Sequence, residues 1–276
     1  EIGDNLFIDT NISVQAFLDN SIAVLEKKVN AIPALILGGG PTLDESIPWK
    51  KEHQSKFIII AVGRITHRLE DEGIIQDANM TIYPTELSFS NSKDTLFFSD
   101  KSLLVSSNHP NYKLTGQWQG KSAYMGARLP IPTVDNPPSI VPRGNKVSNF
   151  AVHISMGFGC RDIYLAGVDF CYLASGQSQE GKSLESKAGV RSDISTQVEN
   201  FAGQMVGSNS KFELAKIRFN SRTCDFKSAF NDLYVYSLSD KSALMEHVAY
   251  KPPQEVDLST YSKENKKQFK KLLDKH

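Results

Sequence analysis

The chain has 276 residues, and 40% of them are hydrophobic, which is enough for a substantial core and too many for a disordered protein. Its 31 basic and 31 acidic side chains give a formal net charge of zero, so we expect neither nucleic acid nor a membrane surface as a partner. The cysteines, Cys160, Cys171 and Cys224, are odd in number and widely spaced, which argues against a zinc site and favours a reduced, cytoplasmic setting.

The first predicted element is an amphipathic helix over residues 12–29, where apolar side chains recur at spacings of three and four. A short buried strand over residues 34–37 follows, and three glycines end it. A helix over residues 43–52 leads to a second apolar strand over residues 57–62. Strand, turn, helix and strand within about 30 residues predict the βαβ unit of a parallel sheet.

The rest of the chain continues this alternation, with two irregular segments. The further predicted elements are a helix at 65–72, strands at 80–83 and 102–106, an irregular excursion at 107–147 with room for small strands, a helix at 147–158, a strand at 162–168, a polar surface segment at 173–200, a helix at 212–218, a strand at 233–237 and a basic helical tail at 261–276. This order predicts an α/β fold with a Rossmann-like, mostly parallel sheet, helices on both faces and an insertion at about 107–147.

The pattern divides the chain into three parts. We expect an N-terminal helical segment over 1–30, a Rossmann-like domain over 31–256 and a C-terminal helical tail over 257–276. The given sequence shows no signal-peptide pattern and no apolar run near the length of a membrane span, so we expect no membrane partner. The chain begins with Glu1 rather than Met, so we expect it to be cut from a longer protein.

The turn after the first strand reads Gly38-Gly39-Gly40-Pro41-Thr42. Because each glycine loses the most backbone freedom on folding, a glycine triplet indicates that bare backbone is needed there. At the carboxyl edge of a parallel sheet, glycines let a phosphate approach the main chain, and the next helix offers free N–H groups. The turn therefore predicts a site for an anionic ligand, most simply a nucleotide. The alternative is a tight strand-to-helix turn with no ligand.

A second segment points to the same edge. Asp169 follows the strand at 162–168, where it could bind a sugar hydroxyl or a single Mg²⁺. Ser148 and Asn149 begin the helix at 147–158, where they could bind a phosphate or carboxylate. The alternatives are that Ser148 only caps its helix and that Asp169 only forms a turn.

Three stretches together resemble the central domain of the Maf (motility-associated factor) family of flagellin glycosyltransferases. They are ALILGGGPTLDESIP (34–48), FIIIAVGRITHRLEDEGIIQDANMTIYP (57–84) and VSNFAVHISMGFGCRDIYLAGVDFCYL (147–173). A fourth stretch, VYSLSDKSALMEHVAYKPPQEV (235–256), resembles the family's closing strand and turn without its glycines. The likeness covers about residues 31–256. The same layout recurs in a family of bacterial sialyltransferases and, more loosely, in archaeal hydroxymethylpterin pyrophosphokinases.

The resemblance implies a transferase that moves a pseudaminic or legionaminic type of nonulosonic acid from a CMP-activated donor to serine or threonine hydroxyls of flagellin, with no certain cofactor. It implies that residues 31–256 bind the nucleotide sugar. The matched positions are Gly38, Gly39, Gly40, Pro41, Thr42, Gly63, Gly144, Ser148, Asn149, Asp169, Phe170 and Tyr172. Two other functions stay open: a non-catalytic nucleotide-sugar-binding scaffold and a pterin pyrophosphokinase-like enzyme.

The catalytic base is where the chain departs from the pattern. The related sialyltransferases carry a histidine base before their late helix, whereas the nearest stretch here, VGSNSK (206–211), has none. Many Maf members have an acid after the third strand, and here Glu86 is a shifted candidate. Asp169 has the best placement for a base, and His109 and His153 are further candidates.

Overall fold

A computed structural model describes residues 11–13, 32–82, 84–107, 110–125, 147–176 and 193–275. The strands in these residues are β1 Asn11–Ser13, β2 Ala34–Leu37, β3 Ile58–Val62, β4 Ala78–Thr81, β5 Leu103–Ser107, β6 Ser122–Met125, β7 Asp162–Ala166, β8 Thr196–Glu199, β9 Met205–Ser208, β10 Tyr234–Ser237 and β11 Ala249–Tyr250. Nine of them form one parallel sheet in the order β1-β6-β5-β4-β3-β2-β7-β10-β11, and β8 and β9 form a separate antiparallel pair.

The described helices lie between these strands and after them. The α-helices are α1 Ile47–His53, α2 Thr66–Glu72, α3 Glu86–Ser92, α4 Tyr112–Gln117, α5 Val147–Gly157, α6 Ser210–Ala229 and α7 Lys263–Lys275. Short 3₁₀ helices cover Pro41–Ser46, Gln54–Lys56, Gly63–Ile65, Lys93–Phe98 and Pro253–Glu255. Of the helices in the described ranges, none is both long enough and apolar enough to cross a membrane.

Strand β2 lies at the centre of the sheet, between β3 and β7, with Ile36 opposite Ile60 and Leu165. All four of its residues are fully buried. Ala34 and Ile36 belong to the core cluster that includes side chains of α5, whereas Leu35 and Leu37 belong to the cluster on the other face. Helices therefore cover both faces, which is why β2 is a continuous apolar run and not an alternating one. The predicted Rossmann-like α/β fold is confirmed.

Helix α7 is part of the same packed core. Phe269 is 1% exposed, and its ring lies 5.1 Å from that of Phe158. The ammonium group of Lys266 lies 2.7 Å from a carboxylate oxygen of the fully buried Asp77, just before β4. The C-terminal helix thus anchors to the amino edge of the sheet, away from the strands' carboxyl ends. The division of the chain into three parts remains a prediction.

Several predicted elements differ from the observed ones. Residues 12 and 13 lie in β1, which pairs with β6, and not in a helix; residues 14–31 lie outside the described residues. Helix α6 is far longer than the predicted 212–218 because a largely polar surface hides its period, and Asn209 caps it by accepting the N–H of Phe212 at 2.9 Å. The segments at 107–147 and 173–200 contain α4, β6 and β8 and are not wholly irregular, while 126–146 and 177–192 lie outside the described residues.

Candidate functional site

A cavity of about 410 Å³ opens at the carboxyl edge of the sheet. Its walls include the residues that directly follow β2, β3, β4 and β7, together with α3 and the first turns of α5 and α6. The described residues that line it are Gly38, Gly39, Gly40, Val62, Gly63, Arg64, Met80, Thr81, Ile82, Thr85, Leu87, Ser88, Asn91, Ser92, Val147, Ser148, Gly167, Val168, Asp169, Phe170, Cys171 and Phe212. This is the position at which open α/β sheets bind ligands.

The glycine turn is bare because β2 and β7 approach each other closely where they end. The N–H groups of Gly38 and Gly40 donate to the carbonyl oxygens of Ala166 and Gly167, both at 2.8 Å. A Cβ on Gly38 would lie 2.2 Å from the Gly167 oxygen, and one on Gly40 would lie 2.3 Å from Asp169 Oδ2. The protein's own backbone packing therefore accounts for two of the three glycines. Within the described residues, Gly39 keeps an N–H that donates to no protein acceptor.

Asp169 closes this turn from the β7 side. Its carboxylate is 4% exposed and accepts the N–H of Thr42 at 3.0 Å, the hydroxyl of Thr42 at 2.5 Å and the hydroxyl of Ser242 at 2.8 Å. The Thr42 hydroxyl in turn accepts the N–H of Gly167 at 3.2 Å. Burial raises the pKa of Asp169, and the bonds from Thr42 and Ser242 oppose that rise. Asp169 lines the cavity, but three of the roughly four hydrogen bonds that a carboxylate can accept are used to hold the turn.

A buried lysine lies behind the turn. Lys50 on α1 is fully buried, and its ammonium group donates to the carbonyl oxygen of Leu43 at 2.5 Å. Burial lowers its pKa to about 7, although the nearby carboxylates, first that of Asp169, act in the opposite direction. Nothing in the sequence predicts the burial of Lys50, because Lys50 and Lys51 stand side by side in one helix.

Arg64 brings a positive charge to the cavity. It lies in the 3₁₀ turn after β3, and its Nη2 donates to the carbonyl oxygen of Gly39 at 2.8 Å. Arg64 is the sole cationic side chain among the described residues of the lining. A guanidinium group binds phosphate and carboxylate well, since its N–H groups match two oxygens at once. Sequence reasoning identified the neighbouring Gly63 and missed Arg64, which stands two residues after the end of the predicted strand.

Gly63, directly after β3, is held in place by residues of the helices that pack against the end of that strand. Its carbonyl oxygen accepts the hydroxyls of Thr66 at 2.6 Å and Thr95 at 3.2 Å. A Cβ on Gly63 would lie 3.1 Å from Ser92 of α3. The absence of a side chain thus lets α3 pack against the end of β3, where four of its residues line the cavity.

The structure brings most of the predicted site residues to one place. Those that line the cavity are Gly38, Gly39, Gly40, Gly63, Ser148, Asp169 and Phe170. Pro41 and Thr42 are buried in the turn, and Gly144 lies outside the described residues. Asn149 is buried and donates to the carbonyl oxygen of Ala215 at 3.4 Å, while the Tyr172 hydroxyl accepts from Asn209 at 2.7 Å.

The remaining acid and base candidates are not among the described lining residues, although Glu86 stands between two of them, Thr85 and Leu87. Glu86 is exposed at the start of α3, and its carboxylate lies 2.7 Å from the ammonium group of Lys113. His153 packs against the ring of Phe226 at 5.0 Å, and its pKa is lowered to about 4, chiefly by burial. Ser208, in the stretch where the sialyltransferases carry their histidine, is buried and donates to the Phe170 carbonyl oxygen at 3.0 Å. His109 lies outside the described residues.

The described residues contain no group of three or more His, Cys, Asp or Glu side chains arranged to hold a metal ion. At Asp169, the position that the sequence offers for a single Mg²⁺, the carboxylate oxygens accept hydrogen bonds from Thr42 and Ser242. Other polar groups in the described lining include the Arg64 guanidinium, the Gly39 amide and the side chains of Ser88, Asn91 and Ser92 on α3.

A protein-family model described as 6-hydroxymethylpterin diphosphokinase MptE-like matches residues 11–175. The chain belongs to this MptE-like family. The chain is also similar to a solved structure, that of the Maf glycosyltransferase from Magnetospirillum magneticum AMB-1, with a TM-score of 0.71 and 16% sequence identity. That match covers 96% of this chain and 42% of the Maf chain, so this chain spans less than half of the Maf protein. No curated protein matches the chain.

The two matches bear on the resemblance in different ways. The match to the Maf enzyme confirms the resemblance seen in the sequence, and at 16% identity it shows a common fold. The MptE-like family corresponds to the pterin pyrophosphokinases, which the sequence resembles more loosely. The site must therefore be judged on its own geometry, because a shared fold does not fix the reaction.

Proposed function

We propose that this MptE-like chain is the donor-binding unit of a cytoplasmic glycosyltransferase. It moves a nonulosonic acid of the pseudaminic or legionaminic type from a CMP-activated donor to serine or threonine hydroxyls of flagellin. The observation that carries the proposal is the cavity of about 410 Å³ at the sheet edge, where Arg64 and the Gly39 backbone meet. The shared fold with a Maf glycosyltransferase supports the reaction class, and three free cysteines favour the cytoplasm.

The donor in this proposal carries two anionic groups, the phosphate of CMP and the carboxylate of the sugar. The cavity offers two places that favour an anion. One is Arg64 beside the Gly39 N–H, and the other is the amino end of α5, where Ser148 lines the cavity. When the bond from the sugar to the phosphate breaks, negative charge collects on CMP, and fixed donors near that phosphate stabilise it.

The acceptor hydroxyl needs a base within hydrogen-bond reach. We assign Asp169 to position the glycine turn, because Thr42 and Ser242 already donate three hydrogen bonds to its carboxylate. Glu86 is the better candidate base in this geometry. It follows the lining residue Thr85, and its ion pair with Lys113 is exposed, so the pair opens at little cost.

Titration calorimetry with CMP tests the ligand class directly, with AMP as the control nucleotide. We expect CMP to bind more tightly than AMP, and a CMP-activated nonulosonic acid to bind more tightly than CMP. Intact mass spectrometry of flagellin incubated with protein and donor then tests transfer, which adds one nonulosonic acid residue. A protein that binds neither CMP nor the donor contradicts the proposal. Binding without hydrolysis or transfer indicates the non-catalytic scaffold.

A second function is favoured by one observation, the match to the 6-hydroxymethylpterin diphosphokinase MptE-like family over residues 11–175. Such an enzyme would move a diphosphoryl group from ATP to the hydroxyl of a hydroxymethylpterin and release AMP. Incubation with ATP, MgCl₂ and 6-hydroxymethyl-dihydropterin distinguishes the two functions. Release of AMP that depends on the pterin, together with no heat of binding for CMP, would replace the glycosyltransferase proposal with this one.

A further inference from the structure

Helix α3 forms a part of the cavity that differs in character from the glycine turn. Its contribution to the lining is Thr85, just before the helix, with Leu87, Ser88, Asn91 and Ser92. Ser88, Asn91 and Ser92 are spaced by three and four residues, so they share one face of the helix. In the described lining, Arg64 is the basic side chain and Asp169 is the acidic one, and both lie at the glycine turn. The α3 face is therefore neutral and polar.

The polar groups of this face are not used by the protein. Within the described ranges, the hydroxyl of Ser88 and the carboxamide of Asn91 make no hydrogen bond to another residue, although the Ser88 N–H donates to the Thr85 hydroxyl at 3.2 Å. Leu87, next to them, is 69% exposed. This arrangement contrasts with Asp169, whose oxygens accept three hydrogen bonds from the protein. A helix face that keeps its hydrogen-bonding groups and an apolar side chain for the cavity has the character of a recognition surface.

A carboxamide offers one acceptor oxygen and two N–H donors, so it can pair with another amide in both directions. An acylamino group has an N–H, a carbonyl oxygen and an apolar methyl group. Resting on the proposed function, we propose that Asn91 and Ser88 bind the acylamino substituents of the donor sugar, with Leu87 against the methyl group. The α3 face then selects nonulosonic acids that carry acylamino groups over those that carry hydroxyls at the same carbons.

The test uses three CMP-activated nonulosonic acids with two, one and no acetamido groups. These are CMP-legionaminic acid, CMP-N-acetylneuraminic acid and CMP-deaminoneuraminic acid. We expect the affinity of the natural chain to fall about 5- to 10-fold with each acetamido group removed, which is the effect of one hydrogen bond of ordinary strength. In Asn91→Ala the affinities for the three donors should lie within about 3-fold of one another. In Ser88→Ala the preference among the donors should be intermediate between that of the natural chain and that of Asn91→Ala.

Ser90→Ala is the matched control, since Ser90 is on the same helix, is exposed and is outside the lining. It should keep the full preference, and all variants should bind CMP itself as the natural chain does. Equal affinities of the natural chain for the three donors, or an unchanged preference in Asn91→Ala, overturn the inference and leave the proposed function standing. If the natural chain binds neither CMP nor any donor, the proposed function and this inference fall together.

Discussion

Two parts of one cavity are built in opposite ways. At the glycine turn, the N–H groups of Gly38, Gly40 and Thr42 and the carboxylate of Asp169 are all bonded to the protein, and the backbones of β2 and β7 nearly touch. Along α3, the side chains of Ser88 and Asn91 have no protein partner within the described residues. The first region fixes the shape of the site, and the second is free to contact what enters it.

The residues that stand out in the sequence are those of the glycine turn and not those of α3. The three glycines and Asp169 are conspicuous in the sequence because backbone geometry demands particular residue types there. The groups best suited to contact a ligand, Arg64 and Asn91, follow no such demand and form no motif. Substitutions in the first region should therefore reduce stability, whereas those in the second should reduce binding while the fold remains intact.

The largest effect is expected for Gly38→Ala. The added Cβ would lie 2.2 Å from the backbone oxygen of Gly167, which cannot move without separating β2 from β7. We expect a loss of about 3 kcal/mol or more in the free energy of unfolding, measured with urea, together with loss of CMP binding. Gly116→Ala is the control, since a Cβ there meets nothing within 4 Å, and it should be neutral or stabilising by up to about 1 kcal/mol. Equal stability of the two variants would contradict the tight approach.

Thr42→Val should have the next largest effect. It keeps the shape of the side chain but removes the hydroxyl that donates to Asp169 and accepts the Gly167 N–H. Two buried groups lose a partner, so we expect about 2 to 3 kcal/mol less stability in urea unfolding. Thr115→Val on α4 is the matched control and should change stability by less than about 0.5 kcal/mol. A fully stable Thr42→Val protein would show that Asp169 does not hold the turn.

Lys50→Met should change how stability depends on pH. The folded protein lowers the pKa of Lys50 from 10.5 to about 7, so the unfolded chain binds more protons between those values. Stability contributed through Lys50 therefore rises with pH over this interval, by roughly 2 kcal/mol between pH 7 and pH 9. Urea unfolding at several pH values should show this rise in the natural chain and in the exposed control Lys51→Met. The rise should be absent from Lys50→Met, and an identical slope in all three proteins would contradict the burial of the charge.

The sequence was sufficient to predict the sheet and its carboxyl edge. Fully buried parallel strands such as β2 and β3 are continuous apolar runs, and the residues that follow them must meet at one edge. Because β2 and β7 pack closely where they end, Gly38 and Gly40 follow β2, and Gly167 and Asp169 follow β7. These are local requirements, so they leave local signals.

The features of the site that the sequence did not predict depend on contacts between distant segments. Ser242 binds Asp169 from 73 residues further along the chain, and a lone serine gives no sign of that role. Lys50 and Lys51 look alike in sequence, and only tertiary packing buries one of them. The polar period of α3 is that of any exposed helix, so it could not be recognised as part of a cavity wall before the fold was known.

Arg64→Met should have the smallest effect on stability of these substitutions. It also tests most directly whether a residue of the cavity stabilises the fold or binds the ligand. It removes the charge at the cavity and keeps most of the apolar stem, so we expect CMP to bind about 10- to 30-fold more weakly while stability changes by less than about 1 kcal/mol. Arg161→Met is the control, because it removes an equal charge at the amino end of β7, on the far edge of the sheet, and it should bind CMP normally. If calorimetry shows the same CMP affinity in both variants, Arg64 does not bind the phosphate. If Arg64→Met instead unfolds as readily as Thr42→Val, the guanidinium belongs with the structural region, and the recognition region is α3 alone.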